Sequence, residues 1–242
     1  MSAIEIKNLS FSYDGERDIL KNINFHVEAG ETIVFAGLSG CGKTTLCQLI
    51  SSIIPNNISG EKSGEILVLG EDISQKSLAE AALKVGFVFQ DADNQIICTT
   101  LEDELAFGLE NLCQDPDKIR RAVNETLVSF GLAEYGLQSP NNLSGGQKRL
   151  LAIAAILITE PDILILDEPM NNLDEESREL VLEKIRNLRK NGHTIILVEH
   201  DLMSVTYADR WIIINEGQIA ALDTPQALLA KKDLLKELNL LV

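Results

Sequence analysis

The sequence has no long apolar run and no excess of positive charge. Its longest apolar stretch, 150–158, is far shorter than the ~18 residues that a membrane-spanning helix needs. The N-terminal segment has no basic region leading into an apolar one, so no secretory signal is predicted. The 21 Lys and Arg against 37 Asp and Glu give a net charge of −16. This balance argues against a general nucleic-acid-binding protein, because contacts to the phosphate backbone depend on Lys and Arg.

Paired cysteines are also absent. Cys41, Cys47, Cys98 and Cys113 form no C-x-x-C motif. Without a secretory signal, such cysteines indicate reduced thiols in the cytoplasm. We expect Cys47, Cys98 and Cys113 to be small buried side chains, whereas Cys41 lies inside a glycine-rich segment. The 242 residues, 45% hydrophobic and 24% charged, are typical of a soluble globular protein with one large domain or two small ones.

Apolar stretches of strand length alternate with helical patterns along the chain. This alternation predicts a parallel sheet, with an additional antiparallel β portion and a helical insert over 91–160. A polar loop is predicted over 55–64, and a hairpin over 211–222 is predicted to turn at Glu216 and Gly217. Strands are predicted over 4–11, 25–27, 32–36, 64–73, 85–90, 161–169 and 193–200, and helices over about 43–52 and 175–190.

The segment GLSGCGKTT, 37–45, has the composition of a phosphate-binding loop. The pattern G-x-x-x-x-G-K-[ST] is satisfied by Gly37, Gly42, Lys43 and Thr44. A match by chance occurs in roughly one chain of this length in a hundred. The segment also lies between an apolar strand and a helix, where backbone N–H groups and the helix N-terminus can surround a phosphate. Lys43 can bridge the β- and γ-phosphates, and the Thr44 hydroxyl can bind Mg²⁺.

The segment LSGGQ, 143–147, is a second candidate phosphate-binding segment, because a serine and two glycines precede an apolar helix. Ser144 can cap the helix or donate to a phosphate oxygen. Alone, the segment would be interpreted as a capped helix. In a chain that also contains a phosphate loop, the phosphate-binding interpretation is favoured.

In this order of motifs the chain resembles an ATP-binding-cassette (ABC) ATPase over essentially its whole length. Segment 37–45 matches the Walker A loop, and 143–147 matches the signature motif. Residues 163–167 match Walker B, and 171–174 lie at the D-loop. Further single residues match the Q-loop glutamine, the catalytic glutamate, the switch histidine and the aromatic that stacks on adenine: Gln90, Glu168, His200 and Tyr13.

The resemblance implies an α/β P-loop NTPase of the ABC ATPase type, with a parallel-sheet core, an antiparallel β subdomain and a helical insert. A single nucleotide-binding domain, 1–242, would contain a β-rich, RecA-like catalytic core (1–90 and 161–242) and a helical signalling subdomain (91–160). The cofactors would be ATP and Mg²⁺.

The same resemblance assigns roles to individual residues. Glu168, His200 and Gln90 would be catalytic, with Glu168 polarising the attacking water. Thr44, Gln90 and Asp167 would bind the metal. The residues expected to bind ATP are Tyr13, Gly37, Ser39, Gly40, Cys41, Gly42, Lys43, Thr44, Thr45, Ser144, Gly145, Gly146 and Gln147.

In this family each signature motif covers the nucleotide of another cassette, which implies that this chain is half of a homodimer or heterodimer. Segment 88–112 is similar to the ATPases of energy-coupling-factor (ECF) importers for vitamins and metal ions. Its apolar residues Ile96, Ile97, Leu101 and Phe107 are expected to contact a membrane subunit at the cytoplasmic face of the membrane. The alternative is an ordinary amphipathic helix packed in the insert. Many ECF ATPases continue into a C-terminal dimerisation segment, so the sequence fits a short member or part of a longer chain.

Several positions depart from the family pattern, without removing a catalytic group. Met170 replaces a small hydroxyl residue, Asn171 and Asn172 replace small residues, Glu199 replaces threonine and Leu150 replaces arginine. These departures leave the expected chemistry unchanged. They bear on the rate of ATP hydrolysis and on whether the two sites of a dimer are equivalent.

Other functions remain open at this point. They are another importer or an exporter, a non-transport ABC protein acting on ribosomes or DNA, and a nucleotide-binding scaffold without hydrolysis. The acidic charge disfavours the second, and the presence of both Glu168 and His200 disfavours the third.

Overall fold

The computed structural model describes residues 2–240 as an α/β fold with two sheets. The strands are β1 (Ser2–Ser12), β2 (Asp18–Glu28), β3 (Thr32–Ala36), β4 (Glu61–Val68), β5 (Val85–Val88), β6 (Ile163–Asp167), β7 (Thr194–Val198), β8 (Arg210–Asn215) and β9 (Gln218–Asp223). The helices are α1 (Lys43–Ile50), α2 (Ile53–Asn56), α3 (Leu78–Lys84), α4 (Leu101–Asn111), α5 (Pro116–Ser129), α6 (Gly145–Leu157), α7 (Glu175–Lys190), α8 (Pro225–Ala230) and α9 (Lys232–Glu237).

The larger sheet has six strands in the order β5-β6-β7-β3-β8-β9. Every neighbouring pair is parallel except β8 and β9, which form the expected hairpin. The smaller sheet, β2-β1-β4, is antiparallel. The prediction of a parallel-sheet core with an antiparallel portion is therefore confirmed.

The two faces of the larger sheet pack into two different apolar clusters. In β3, Val34 and Ala36 join the cluster formed with helices α4 to α7, whereas Ile33 and Phe35 join the cluster formed with α1 and the antiparallel sheet. This alternation follows from the strand period of two. All five residues of each central strand are buried, as expected for a parallel sheet covered on both faces.

Some boundaries predicted from the sequence were wrong. The polar residues 61–64, predicted as loop, belong to β4, where Glu61 pairs with Ser12 of β1. Pairing to a neighbouring strand decides this segment, and its polar side chains reach solvent. Strand β5 ends at Val88, so Gln90 lies two residues beyond it. Short helices α3, α8 and α9 were not predicted.

The structure also corrects two expectations about single residues. Leu101 is completely buried in the helical cluster and is therefore not available as a contact surface. Cys113 is exposed, just after α4, with a backbone φ of +53°. Within residues 2–240, no helix combines the length and the apolar character needed to cross a membrane.

Candidate active site

The candidate site lies at the carboxyl ends of the parallel strands β3, β5, β6 and β7. These strands are neighbours in the larger sheet, so the loops that follow them meet at one edge. A cavity of about 360 Å³ opens there. Its lining residues come from four of the predicted motifs, from the segment after β1 and from the start of β2: Tyr13, Ile19, Ser39, Gly40, Gly42, Lys43, Thr44, Thr45, Gln90, Glu168 and His200.

The loop between β3 and α1 has a backbone shape that depends on glycine. Gly37 has a φ of +147°, and a Cβ atom there would lie 2.1 Å from the Ile214 carbonyl oxygen. Gly42 has a φ of +108° and directly precedes α1. The first N–H groups of α1 have no partner within the helix and carry its positive dipole end, which favours an anion at this point.

Lys43, the first residue of α1, has a buried side chain that reaches back into this loop. Its Nζ donates hydrogen bonds to the Gly37 carbonyl at 2.8 Å and to the Leu38 carbonyl at 3.0 Å. The ammonium group is thus held beside the N-terminus of α1, where a bound phosphate would meet it. Cys41, predicted to bind the cofactor, is also buried and lies 3.8 Å from Lys43 Nζ, but it does not line the cavity.

Tyr13 stands at the cavity, 44% exposed, on the segment after β1. Its hydroxyl and the Thr45 hydroxyl lie within hydrogen-bonding distance at 2.9 Å. Its ring makes an edge contact with Phe11. These two contacts fix the ring next to the first turn of α1 and leave part of its surface free to contact a base.

Asp167 and Thr44 place two hard oxygen donors together. Asp167 is the last residue of β6, and burial raises its pKa, while a hydrogen bond from the Thr44 side chain opposes that effect. Mg²⁺ is commonly held by one or two protein oxygens together with water and substrate phosphates. Among the described residues no group of three His, Cys, Asp or Glu forms a metal cluster. The oxygen chemistry of Asp167 and Thr44, beside a phosphate loop, fits a Mg²⁺ ion.

Glu168 follows immediately, and its carboxylate is hydrogen-bonded on both oxygens. Oε1 lies 2.5 Å from His200 Nε2. Oε2 accepts hydrogen bonds from Gln90 Nε2 at 2.6 Å and Asn171 Nδ2 at 3.1 Å. Residues that are far apart in the sequence, Gln90, Glu168 and His200, therefore meet at one point beside the cavity.

The signature residues lie outside this cavity. Ser144 caps α6: its Oγ accepts a hydrogen bond from Gln147 N, and Gln147 Oε1 accepts one from Ser144 N. Gly146 allows α6 to pack closely on α7, since a Cβ there would lie 2.6 Å from Ser177 Cβ. Ser144 and Gly145 are exposed. Gly145 lines a second cavity, of about 390 Å³, together with Gln90 and Asn171.

Sequence reasoning missed Arg149, on the first turns of α6. Its guanidinium donates to the Phe89 carbonyl at 2.8 Å and to the Gln90 carbonyl at 2.6 Å. The side chain is buried, and burial lowers its pKa, although Asp91 and Glu199 lie close enough to oppose this. The sequence offered one signal for this role. Arg149 lies four residues before Ile153, so the two share a helix face that is otherwise apolar and buried.

Gln95 supports the same loop from the other side. Its Oε1 accepts a hydrogen bond from Phe89 N at 2.9 Å, and its Nε2 donates to the Phe87 carbonyl at 3.3 Å. The backbone that carries Gln90 is thus held by one side chain from α6 and one from its own loop.

We expect Arg149→Met to lower ATP turnover about tenfold, because the hydrogen bonds from the charged guanidinium to the Phe89 and Gln90 carbonyls are lost while the apolar stem is kept. Arg149→Lys should restore little, since an ammonium group cannot reproduce the planar fork. The rates would be compared with those of Arg120→Met, an exposed arginine on α5. Full turnover by Arg149→Met would contradict this role.

The fold and the site together define a P-loop nucleotide-binding protein. The family model described as "ABC transporter" matches residues 20–171, and the chain belongs to this family. It therefore contains the ATP-binding domain of an ABC transporter, a family whose ATP-binding subunits hydrolyse ATP.

Curated relatives agree with this assignment. The chain is 38% identical to the energy-coupling factor transporter ATP-binding protein EcfA1 of Lactobacillus acidophilus, over 99% of this chain and 84% of that protein. It is 39% identical to EcfA of Methanosarcina acetivorans, over 94% and 81%.

A solved structure, that of cbiO1 from Clostridium perfringens, superposes with a TM-score of 0.86 at 31% identity. The match covers 99% of this chain and 95% of that chain, and cbiO1 is described as part of the ABC transporter complex cbiONQ. Other curated relatives, ABC transporter ATP-binding proteins of Bacillus, Methanosarcina and Lactobacillus, are longer. The chain spans only 35–42% of their length.

Proposed function

We propose that this chain binds ATP with Mg²⁺ and hydrolyses it to drive an ECF-type importer for a vitamin or a transition-metal ion. The relatives named EcfA, each similar over more than four-fifths of its own length, support an importer of this type. The similarity to cbiO1, part of a transporter complex, supports an assembly with membrane subunits at the cytoplasmic face of the membrane.

One observation supports a function that needs two ATPase subunits. The cavity is lined by Walker A, Gln90, Glu168 and His200, but not by the signature residues of the same chain. Ser144 and Gly145 are instead exposed at the start of α6, where a second ATPase subunit can approach. We infer that each nucleotide is enclosed between the Walker A loop of one subunit and the signature motif of the other, in a homodimer or a heterodimer.

The cavity beside the Walker A loop is the proposed nucleotide site. The glycine-rich backbone and Lys43 would bind the β- and γ-phosphates, and Tyr13 would stack on adenine, a contact worth roughly 1–3 kcal/mol. Thr44 and Asp167, together with Gln90, would hold Mg²⁺. When bound, the metal neutralises charge on the phosphate oxygens.

Glu168 would orient and polarise the water that attacks the γ-phosphate. His200 would donate a hydrogen bond to the γ-phosphate, and Gln90 would contact the metal or the water. In the present structure Gln90 and His200 both hydrogen-bond to the Glu168 carboxylate, so nucleotide binding would exchange these contacts for contacts to the substrate.

The helical residues 91–160 would form the unit that contacts the membrane subunits. Ile97 and Phe107 remain 64% and 44% exposed on this part of the chain, whereas Leu101 is buried. An exposed apolar surface close to the loop of Gln90 would connect the membrane subunits to the catalytic site.

The proposal is tested by affinity capture of the tagged chain from detergent-solubilised membranes of the native host, with partners identified by mass. We expect a multi-span membrane protein and a small membrane-embedded binding subunit, and the latter would identify the cargo. Capture of ribosomal or DNA-bound proteins, with no membrane protein, would overturn the transport function and leave the ATPase chemistry unaffected.

A further inference from the structure

Asn171, in the D-loop, is one of three side chains that donate to Glu168. His200 and Gln90 are the other two, and both lie far from Glu168 in the sequence. In the proposed reaction both must turn to the nucleotide, the metal or the water. Their contacts to Glu168 therefore belong to the structure without substrate.

The contact of Asn171 is of a different kind, because it lies within a single turn of the chain. Asn171 N donates to the Glu168 carbonyl at 3.1 Å, and Asn171 Nδ2 donates to Glu168 Oε2 at the same distance. Of the two residues between them, Pro169 and Met170, Met170 is buried, and its N–H donates to the Glu199 carboxylate at 3.4 Å. This turn holds the Asn171 amide beside Glu168 through contacts that involve neither His200 nor Gln90.

We propose that Asn171 is a positioning residue for the Glu168 carboxylate, an inference that rests on the proposed ATP hydrolysis. By donating to Oε2, it fixes the rotation of the carboxylate and leaves Oε1 directed toward the side of His200 and the cavity, where the attacking water would bind. The departure of the D-loop sequence NNLD from small residues thereby acquires a chemical role.

The test uses the membrane complex captured through the tagged chain. Asn171→Ala is expected to lower kcat for ATP about tenfold and to change KM for ATP less than twofold, because the amide contacts the carboxylate and not the nucleotide. Asn187→Ala, an exposed position on α7, is the matched control and should leave both constants unchanged.

Asn171→Asp keeps the shape of the side chain, removes the N–H donors and places a like charge beside Glu168. We expect a loss of kcat at least as large as that of Asn171→Ala. This variant also serves if the alanine variant does not fold. In the Glu168→Gln background, Asn171→Ala should have no further effect on the residual single-turnover rate, whereas a purely structural role would lower it again.

Full kcat in both Asn171 variants, with the unaltered complex active, would overturn the role of Asn171 alone. Absence of ATP turnover in the unaltered complex would overturn the proposed function, and the inference with it. A tenfold rise of KM for ATP with no change of kcat would assign Asn171 to nucleotide binding and likewise overturn the proposal.

Discussion

Glu168→Gln is expected to lower ATP turnover about 10²–10⁴-fold, the range typical for loss of a positioned general base. The amide keeps the size of the side chain but cannot accept the proton of the attacking water. ATP affinity should be retained, since Lys43, Thr44 and the glycine-rich loop are unchanged. The measurement is the steady-state release of phosphate by the captured complex, together with equilibrium ATP binding.

Glu183→Gln is the matched control for this variant, because Glu183 is exposed on α7, away from the cavity. It should hydrolyse ATP at the unaltered rate. Turnover by Glu168→Gln within a few fold of the control would contradict the catalytic role and revive a nucleotide-binding scaffold that does not depend on this carboxylate.

Glu199→Gln is expected to stabilise the folded chain at neutral and alkaline pH. Burial raises the pKa of Glu199 to about 7, with the nearby Glu168 adding to the shift. A carboxyl group with a raised pKa binds its proton more tightly in the folded state. Its ionisation therefore destabilises the fold progressively from about pH 4.5 to about pH 7, by roughly 3 kcal/mol in all, and the loss is constant above that.

Glutamine has no such ionisation and can still accept the hydrogen bond from Met170 N. The gain in unfolding free energy over the unaltered chain should therefore be about 2 kcal/mol larger at pH 8 than at pH 5.5. Urea unfolding of both proteins at the two pH values measures this difference, with Glu183→Gln as the control. A difference independent of pH would show that Glu199 is not protonated in the folded state near neutral pH.

The sequence predicts the architecture well where a physical pattern is local. The central strands β3, β6 and β7 are continuous apolar runs. Asp174 caps the N-terminus of α7 by accepting a hydrogen bond from Ser177 N. Each of these elements can therefore be found within one window of residues. Where tertiary contacts determine the secondary structure of a segment, prediction from local patterns fails. The polar start of β4 is a strand only because β1 pairs with it.

The site shows the same division. Walker A and the signature segment are local motifs, and the sequence locates them. Their relative placement depends on the order of the strands: β6 and β7 are neighbours with Asp167 opposite Val198, which brings the residues after each strand together. No local pattern encodes the contact of Arg149 to the Gln90 carbonyl, because the two residues lie on different segments of the chain. The contact of Asn171 to Glu168 is also not encoded, because it depends on the shape of the turn between them.

In the proposed mechanism two ATPase subunits enclose each ATP, one supplying Walker A and the other the signature motif. Native mass spectrometry of the captured complex carrying Glu168→Gln, at saturating ATP, tests it most directly. We predict two ATPase subunits, either two copies of this chain or this chain with a related one, and two retained ATP molecules. A complex with a single ATPase subunit and one tightly bound ATP would contradict the claim.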